Sequence, residues 1–334
     1  MSTEFIWQLP TAGDGRYGAA ARLRRGERIA GERAPFTDGV SDPRGARFNH
    51  FDYLHQVARA ADISGFDGLR ISHDLDGDDS WIVAGYVARG TRHIRLLVEF
   101  EASWGSAVYA AKNAVSFQRA SAGRLAWQLA PGADAASRAR NGDQVPDAEV
   151  PERIDEFLSV ARGVQTSAPF SFKGHYFEVL EGGFRGPLAG NPLPAVYLSG
   201  EGEAALALSA RQADVHLFIA APLAQLQAQL ALLARLAGEQ GRQVTAGLRI
   251  DVLARETGAE AARDSARHQE QGGVAPGLVG SYAQVIEALA AYAEAGIGSF
   301  ILGAAPHLEE AYRIGEHVLP ALRARLAQDQ QKAA

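Results

Sequence analysis

The chain has 334 residues, 47 % of them hydrophobic and 22 % charged, and it contains no cysteine. That balance suits a globular chain with a large core, and the missing cysteine excludes disulfides, thiolate nucleophiles, iron–sulfur clusters and cysteine-bound zinc. A net charge of −6 without any Lys/Arg cluster argues against nucleic-acid binding, and no apolar run is long enough to cross a bilayer.

Read in chain order, short apolar runs alternate with amphipathic stretches. The runs are Glu4–Pro10, Gly68–Asp74, Ile94–Ala102, Leu125–Pro131, Ala195–Gly200, Asp214–Ala220, Leu248–Ala254 and Ser299–Ala305. Near-continuous apolar segments of this length fit strands buried on both faces of a parallel sheet. The stretches between them carry apolar residues at helical spacing: Phe51–Gly65, Ser80–Thr91, Ser106–Gly123, Glu203–Ala213, Pro222–Gly241, Ser281–Gly298 and Leu308–Ala327. Gly65 reads as a C-cap and Ser80 as an N-cap. Eight strands alternating with helices predict an α/β fold, a (β/α)8 TIM barrel forming one domain over 1–334. An open doubly wound sheet is the alternative, but no Gly-x-Gly-x-x-Gly turn follows the first strand. Excursions fall at 11–47, 131–150, 168–194 and 256–280, and Phe170–Val179 reads as a hairpin. The opening MSTEFIWQLPTAGDG has no leader-like pattern, so the expected location is cytoplasmic.

The active site of such a barrel lies at the C-terminal ends of its strands. That rule selects Trp7, His73, Glu99, Glu101, Gln128, the Ser199-Gly200-Glu201-Gly202 turn, Arg249 and Asp251. The Ser-Gly-Glu-Gly turn opens a helix and either presents backbone N–H groups to a phosphate or is an ordinary tight turn. Glu99 and Glu101 share one face of a strand, since side chains alternate. They either face the pocket, as substrate-binding groups, or bridge basic side chains. Arg249 and Asp251 also share a face, where Arg249 is suited to an anion. His73 and Asp251 are the candidate proton-transfer groups. The nine histidines show no H-E-x-x-H spacing, so no metal is expected.

FIWQLPTAGDGRY, FDYLHQVARAADISGFDGL, DDSWIVAGYVARGTRHIRLLV, VYLSGEGEAALALSARQADVHL and above all PHLEEAY carry a resemblance over almost the whole chain. The chain resembles the bacterial luciferase-like superfamily of flavin-dependent monooxygenases, nearest its alkanesulfonate monooxygenase branch. The resemblance implies FMN, used as FMNH2 from a separate flavin reductase, with O2 as co-substrate. It also implies a homodimer or homotetramer. It places Ser199, Gly200, Glu201 and Gly202 at the flavin phosphate, Gln128 near the flavin and Arg249 in the active site. Other positions depart from the branch. Its strand-two cysteine falls at Gly77, its strand-seven histidine at Asp251, its strand-eight tyrosine at Ala305 and its strand-three arginine at Glu101. Its arginine-bearing lid is shortened to roughly Gly258–Gly280. A cationic pocket suited to sulfonate has gained carboxylates, so the expected substrate is a small organic molecule other than a simple alkanesulfonate, contacted by Trp7, Glu99 and Glu101. Two rivals share the fold: an F420-dependent hydride-transfer enzyme, and a non-catalytic flavin- or ligand-binding barrel. His307, Glu309 and Glu310 read as a structural feature at the start of the last helix, where the dipole favours acids.

Overall fold

The strands of the computed structural model, which describes residues 3–13, 50–75, 77–130, 135–270 and 273–333, follow the apolar runs closely. They are β1 (Glu4–Leu9), β2 (Gly68–Ile71), β3 (Arg95–Glu101), β4 (Leu125–Ala130), β5 (Phe170–Lys173), β6 (Glu178–Gly182), β7 (Ala195–Ser199), β8 (Val215–Ile219), β9 (Thr245–Arg255), β10 (Leu278–Ser281) and β11 (Ile297–Gly303). The order β10-β9-β11-β1-β2-β3-β4-β7-β8, with β8 pairing back to β9, closes eight strands into a parallel (β/α)8 barrel. β10 is an additional parallel strand on β9, with Leu278 beside Val252, and β5–β6 is the expected antiparallel hairpin. The helices are α1 (His50–Ile63), α2 (Ser80–Ala88), α3 (Ala107–Ser121), α4 (Ala135–Arg140), α5 (Val150–Thr166), α6 (Gly202–Gln212), α7 (Leu223–Glu239), α8 (Gly258–Glu270), α9 (Tyr282–Glu294), α10 (His307–His317) and α11 (Leu319–Ala333). Most of the excursion at 11–47 lies outside the described residues.

The chain divides into two compact units, the first drawn from Met1–Leu96, Ile219–Leu223 and Leu248–Ala334. In it β1 lies between β11 and β2, and Phe5 stacks on Phe300 with ring centroids 5.6 Å apart. α1 ends where Gly65 takes a φ of +84°, a left-handed conformation that glycine adopts without steric cost. α2 begins one residue earlier than expected: Asp79, not Ser80, is the N-cap, its carboxylate accepting from the Ile82 N–H at 2.9 Å. Ser281 and Gln284 form a capping box at α9. The final helix is two helices. Pro320 lacks an N–H and its ring crowds the carbonyl four residues earlier, so the first helix ends at His317, the chain turns at Val318 and the second helix starts at Leu319. α8 and β10 occupy the segment read as a shortened lid. There Arg255 donates to Asp264 at 2.6 Å and to the buried Glu310 at 3.1 Å, and Arg313 also bonds Glu310. The acidic start of α10 is therefore part of an ion-pair network tying α8, β9 and α10 together.

The second unit, drawn from Leu97–Phe218 and Ala224–Gly247, is built around aromatic rings. Phe100 lies 5.3 Å from Trp127 and 6.0 Å from Phe157, and Phe157 lies 5.7 Å from Phe177. Phe157 comes from α5, a helix absent from the expected set, with Pro151 in its first turn and Ile154, Phe157, Leu158, Ala161 and Val164 buried along one face. Before it, Asp143 accepts from both terminal nitrogens of Arg153 at 2.7 Å, and both residues are buried. That bidentate bond holds the Asp143 carboxyl below the usual range for aspartate.

Candidate functional site

Alternation along β1 sorts its side chains. Trp7 is fully buried and packs on Phe66 and the His307 ring, with centroids 5.1 and 6.2 Å away. It thus lies in the core, against a residue that lines the pocket beside β9. Its neighbour Gln8 points the other way. The Gln8 carbonyl oxygen accepts from Arg70 at 2.5 Å and its amide donates to Ser72 Oγ at 3.0 Å. Thr11 Oγ1 donates to the Ser72 carbonyl at 3.0 Å, closing the turn after β1 against that after β2. His73, half-buried, follows in the same turn.

Arg249 and Asp251 flank the buried Ile250 on β9, and both are exposed on the face the sequence assigns them. The Asp251 carboxylate makes no hydrogen bond or ion pair with a described residue, so the two side chains are not paired with each other. Across β11 sits Gly303, where a Cβ would overlap Asp251 Oδ1 and would lie 3.5 Å from Gln8 Cβ. Asp251 also lines a pocket with His268, Pro276, Ala304 and His307. His268 was not among the expected site residues. Its position is readable from α8, where it falls on one face with the buried Ala261 and Ser265.

In the second unit the same alternation decides where Glu99 and Glu101 point. Phe100 faces Trp127 and Phe157, so the two carboxylates face the opposite side, both buried. Gln128, next to Trp127, shares that side, and its Nε2 donates to Glu99 Oε1 at 2.6 Å. Glu101 accepts from Ser103 Oγ at 3.0 Å. The two acids thus belong to a polar network of strand residues, and Gln128 and Glu99 are a bonded pair.

The Ser199–Gly202 turn leads into α6 with Gly200 at φ +140° and Gly202 at +82°. Glu201 is the N-cap residue but makes no side-chain cap bond, so no cap occupies the first N–H groups of the helix. A Cβ on Gly200 would come 2.8 Å from Ala205 Cβ, whereas nothing lies within 4 Å of one on Gly202. Such a bare helix N-terminus with an open approach fits an anionic group such as a phosphate. Next to it, His216 is fully buried, with Nδ1 2.7 Å from Ser209 Oγ of α6. Burial pushes its pKa down to about 4, against a smaller upward pull from the Gly200 backbone, so the imidazole is neutral at physiological pH. Among the described residues no group of His, Asp and Glu has the arrangement of a metal site.

The fold and these strand-end residues define a barrel of the luciferase-like type. The luciferase-like monooxygenase family model matches residues 4–276, and the chain belongs to that family. Among solved structures it is similar to long-chain alkane monooxygenase (LadA), at 15 % identity and a TM-score of 0.78, covering 97 % of this chain and 92 % of that one. It is also similar to the oxygenating constituent of 3,6-diketocamphane monooxygenase from Pseudomonas putida in complex with FMN, at 16 % identity and a TM-score of 0.71, covering 96 % and 99 % of the two chains. A third similar structure is an F420-dependent secondary alcohol dehydrogenase in complex with an F420-acetone adduct, at 16 % identity and a TM-score of 0.71, with 96 % and 99 % covered.

Proposed function

We propose that this chain is a monooxygenase that uses reduced FMN, delivered by a separate flavin reductase, to oxygenate a small organic molecule that is not a simple alkanesulfonate. The carrying observation is the uncapped N-terminus of α6 behind the Ser199-Gly200-Glu201-Gly202 turn in a luciferase-like barrel. Ser199 Oγ and the first N–H groups of α6 would hold the cofactor's phosphate. His216 and Ser209 brace the turn from beneath. Glu99 fixes which end of the Gln128 amide faces outward, so Gln128 presents a set hydrogen-bonding pattern to the ring system. Reduced flavin supplies the electrons that activate O2, and the chain's share is to bind, orient and exclude water. Arg249 is the candidate anion contact, and His73 and Asp251 are the candidate proton carriers. A homodimer or homotetramer in the cytoplasm completes the proposal; among the described residues no helix is long and apolar enough to cross a membrane.

The second reading is F420-dependent hydride transfer, supported by the likeness to the alcohol dehydrogenase with its F420-acetone adduct. An anaerobic titration with FMN, FMNH2 and F420, followed by tryptophan fluorescence, tests both. FMNH2 binding much tighter than FMN supports the oxygenase, and selective F420 binding supports the hydride-transfer enzyme. Binding of none would overturn both and leave a ligand-binding barrel.

A further inference from the structure

A pocket of about 300 Å3 opens within the first unit beside β9, the residues after β11 and the end of α8. Leu253, Pro276 and Ala304 give it apolar walls, while Asp251, His268 and His307 give it polar ones. Asp251 is the acidic group among these described lining residues, and its carboxylate makes no hydrogen bond or ion pair with a described residue. Its place depends on Gly303, where a Cβ would overlap Oδ1. The absence of a side chain on β11 therefore lets the carboxylate lean over the strand beside Gln8. Asp251 is exposed at this recess, where a ligand with a cationic nitrogen can pair with the carboxylate while its hydrocarbon part covers the apolar walls. The Asp251 carboxylate is the negative charge that this lining offers a ligand.

We infer that this pocket takes a small organic molecule bearing an ammonium or amidinium group. The cationic nitrogen meets Asp251, and the hydrocarbon body lies on Leu253, Pro276 and Ala304. Only the description of that molecule as the substrate rests on the oxygenase reading; its binding requires no cofactor.

Three probes of one shape isolate the charge: cyclohexylammonium, cyclohexanol and cyclohexanecarboxylate, titrated into the cofactor-free protein at pH 8 and low salt by calorimetry and saturation-transfer NMR. Wild type should bind cyclohexylammonium at least tenfold more tightly than either of the others. Asp251→Asn should erase that preference, and Asp251→Glu, which keeps the charge, should retain it. Gly303→Ala, which displaces the carboxylate, should weaken cyclohexylammonium and leave cyclohexanol unchanged. Absence of cyclohexylammonium binding, equal or tighter binding of the carboxylate, or an unchanged preference in Asp251→Asn overturns the inference. A chain that prefers the ammonium probe but binds neither flavin nor F420 keeps this inference and loses the oxygenase reading. Flavin binding without the preference does the reverse.

Discussion

Gln128 and Glu99, neighbours on β4 and β3, meet through a 2.6 Å hydrogen bond on the face of the strands opposite the aromatic cluster. A buried carboxylate is costly unless its oxygens receive donors, and a bond of this kind to a charged group contributes about 1.5–3 kcal/mol. Gln128→Leu should lower the unfolding free energy in urea by that order. The exchange Glu99→Gln with Gln128→Glu restores an amide facing a carboxylate. The double variant should be more stable than the sum of the single losses predicts. Strictly additive losses would show that the bond carries no weight.

The two glycines of the turn before α6 should respond differently to alanine. Both have positive φ, which costs a side-chain-bearing residue about 1–3 kcal/mol. Gly200 in addition has Ala205 Cβ 2.8 Å from its own missing Cβ, and Gly202 has open space. Gly200→Ala should therefore be the more destabilising and should weaken FMNH2 binding more, as read by anaerobic fluorescence titration. Equal losses in both variants would remove the turn from the binding site.

His216 makes the fold acid-sensitive in a defined window. Its folded pKa of about 4 lies below the ordinary imidazole value, so the unfolded chain takes up the proton first. Stability is therefore lost as pH falls from about 6.5 towards 4, by up to about 3 kcal/mol from this group. In His216→Gln the stability curve should be flatter across that window. Parallel curves for variant and wild type would contradict the assignment.

The Asp143–Arg153 pair acts at lower pH. Removing one partner of a buried ion pair costs about 3–5 kcal/mol, and Asp143→Asn should lose stability on that scale at neutral pH. The folded Asp143 pKa is depressed by Arg153. The pair's contribution is thus present above the ordinary aspartate value and is lost as pH falls through the lower folded one. The gap between wild type and Asp143→Asn, measured by chemical denaturation, should hold from pH 8 to about 5 and narrow below about 4. A constant gap at all pH values would contradict it.

The barrel strands were readable because parallel strands covered on both faces are written as unbroken apolar runs, and each run became a strand. Alternation on those strands put Glu99 with Glu101, and Arg249 with Asp251, on a shared face, as they are in the structure. It also separates Trp7 from Gln8, but the packing of Trp7 on Phe66 and His307 depended on distant segments. α5 was missed although Ile154, Phe157, Leu158, Ala161 and Val164 sit at helical spacing, because Glu and Arg interleave with them. Pro320 marks the break between α10 and α11, yet a proline in a first turn is compatible with a helix, so the proline alone left the boundary open. The pocket around Asp251 depends on the fold: His268, Gly303 and His307 are brought to it from three separate elements.

The pairing of β1 with β11 also sets an order of events during synthesis. Ser299 Oγ donates to Glu4 Oε2 across a sequence separation of 295 residues. At roughly 5–20 residues per second, β1 leaves the ribosome about 15–60 s before the strand that covers its second edge. β2 reaches one side of β1 early, while the other side, lined by fully buried residues in the finished protein, waits for nearly the whole chain. β4 and β7 of the second unit are far closer in sequence and can pair while translation continues. The uncovered edge of β1 is consequently the place on the nascent chain where a chaperone has most to protect and where misassembly with another copy would begin.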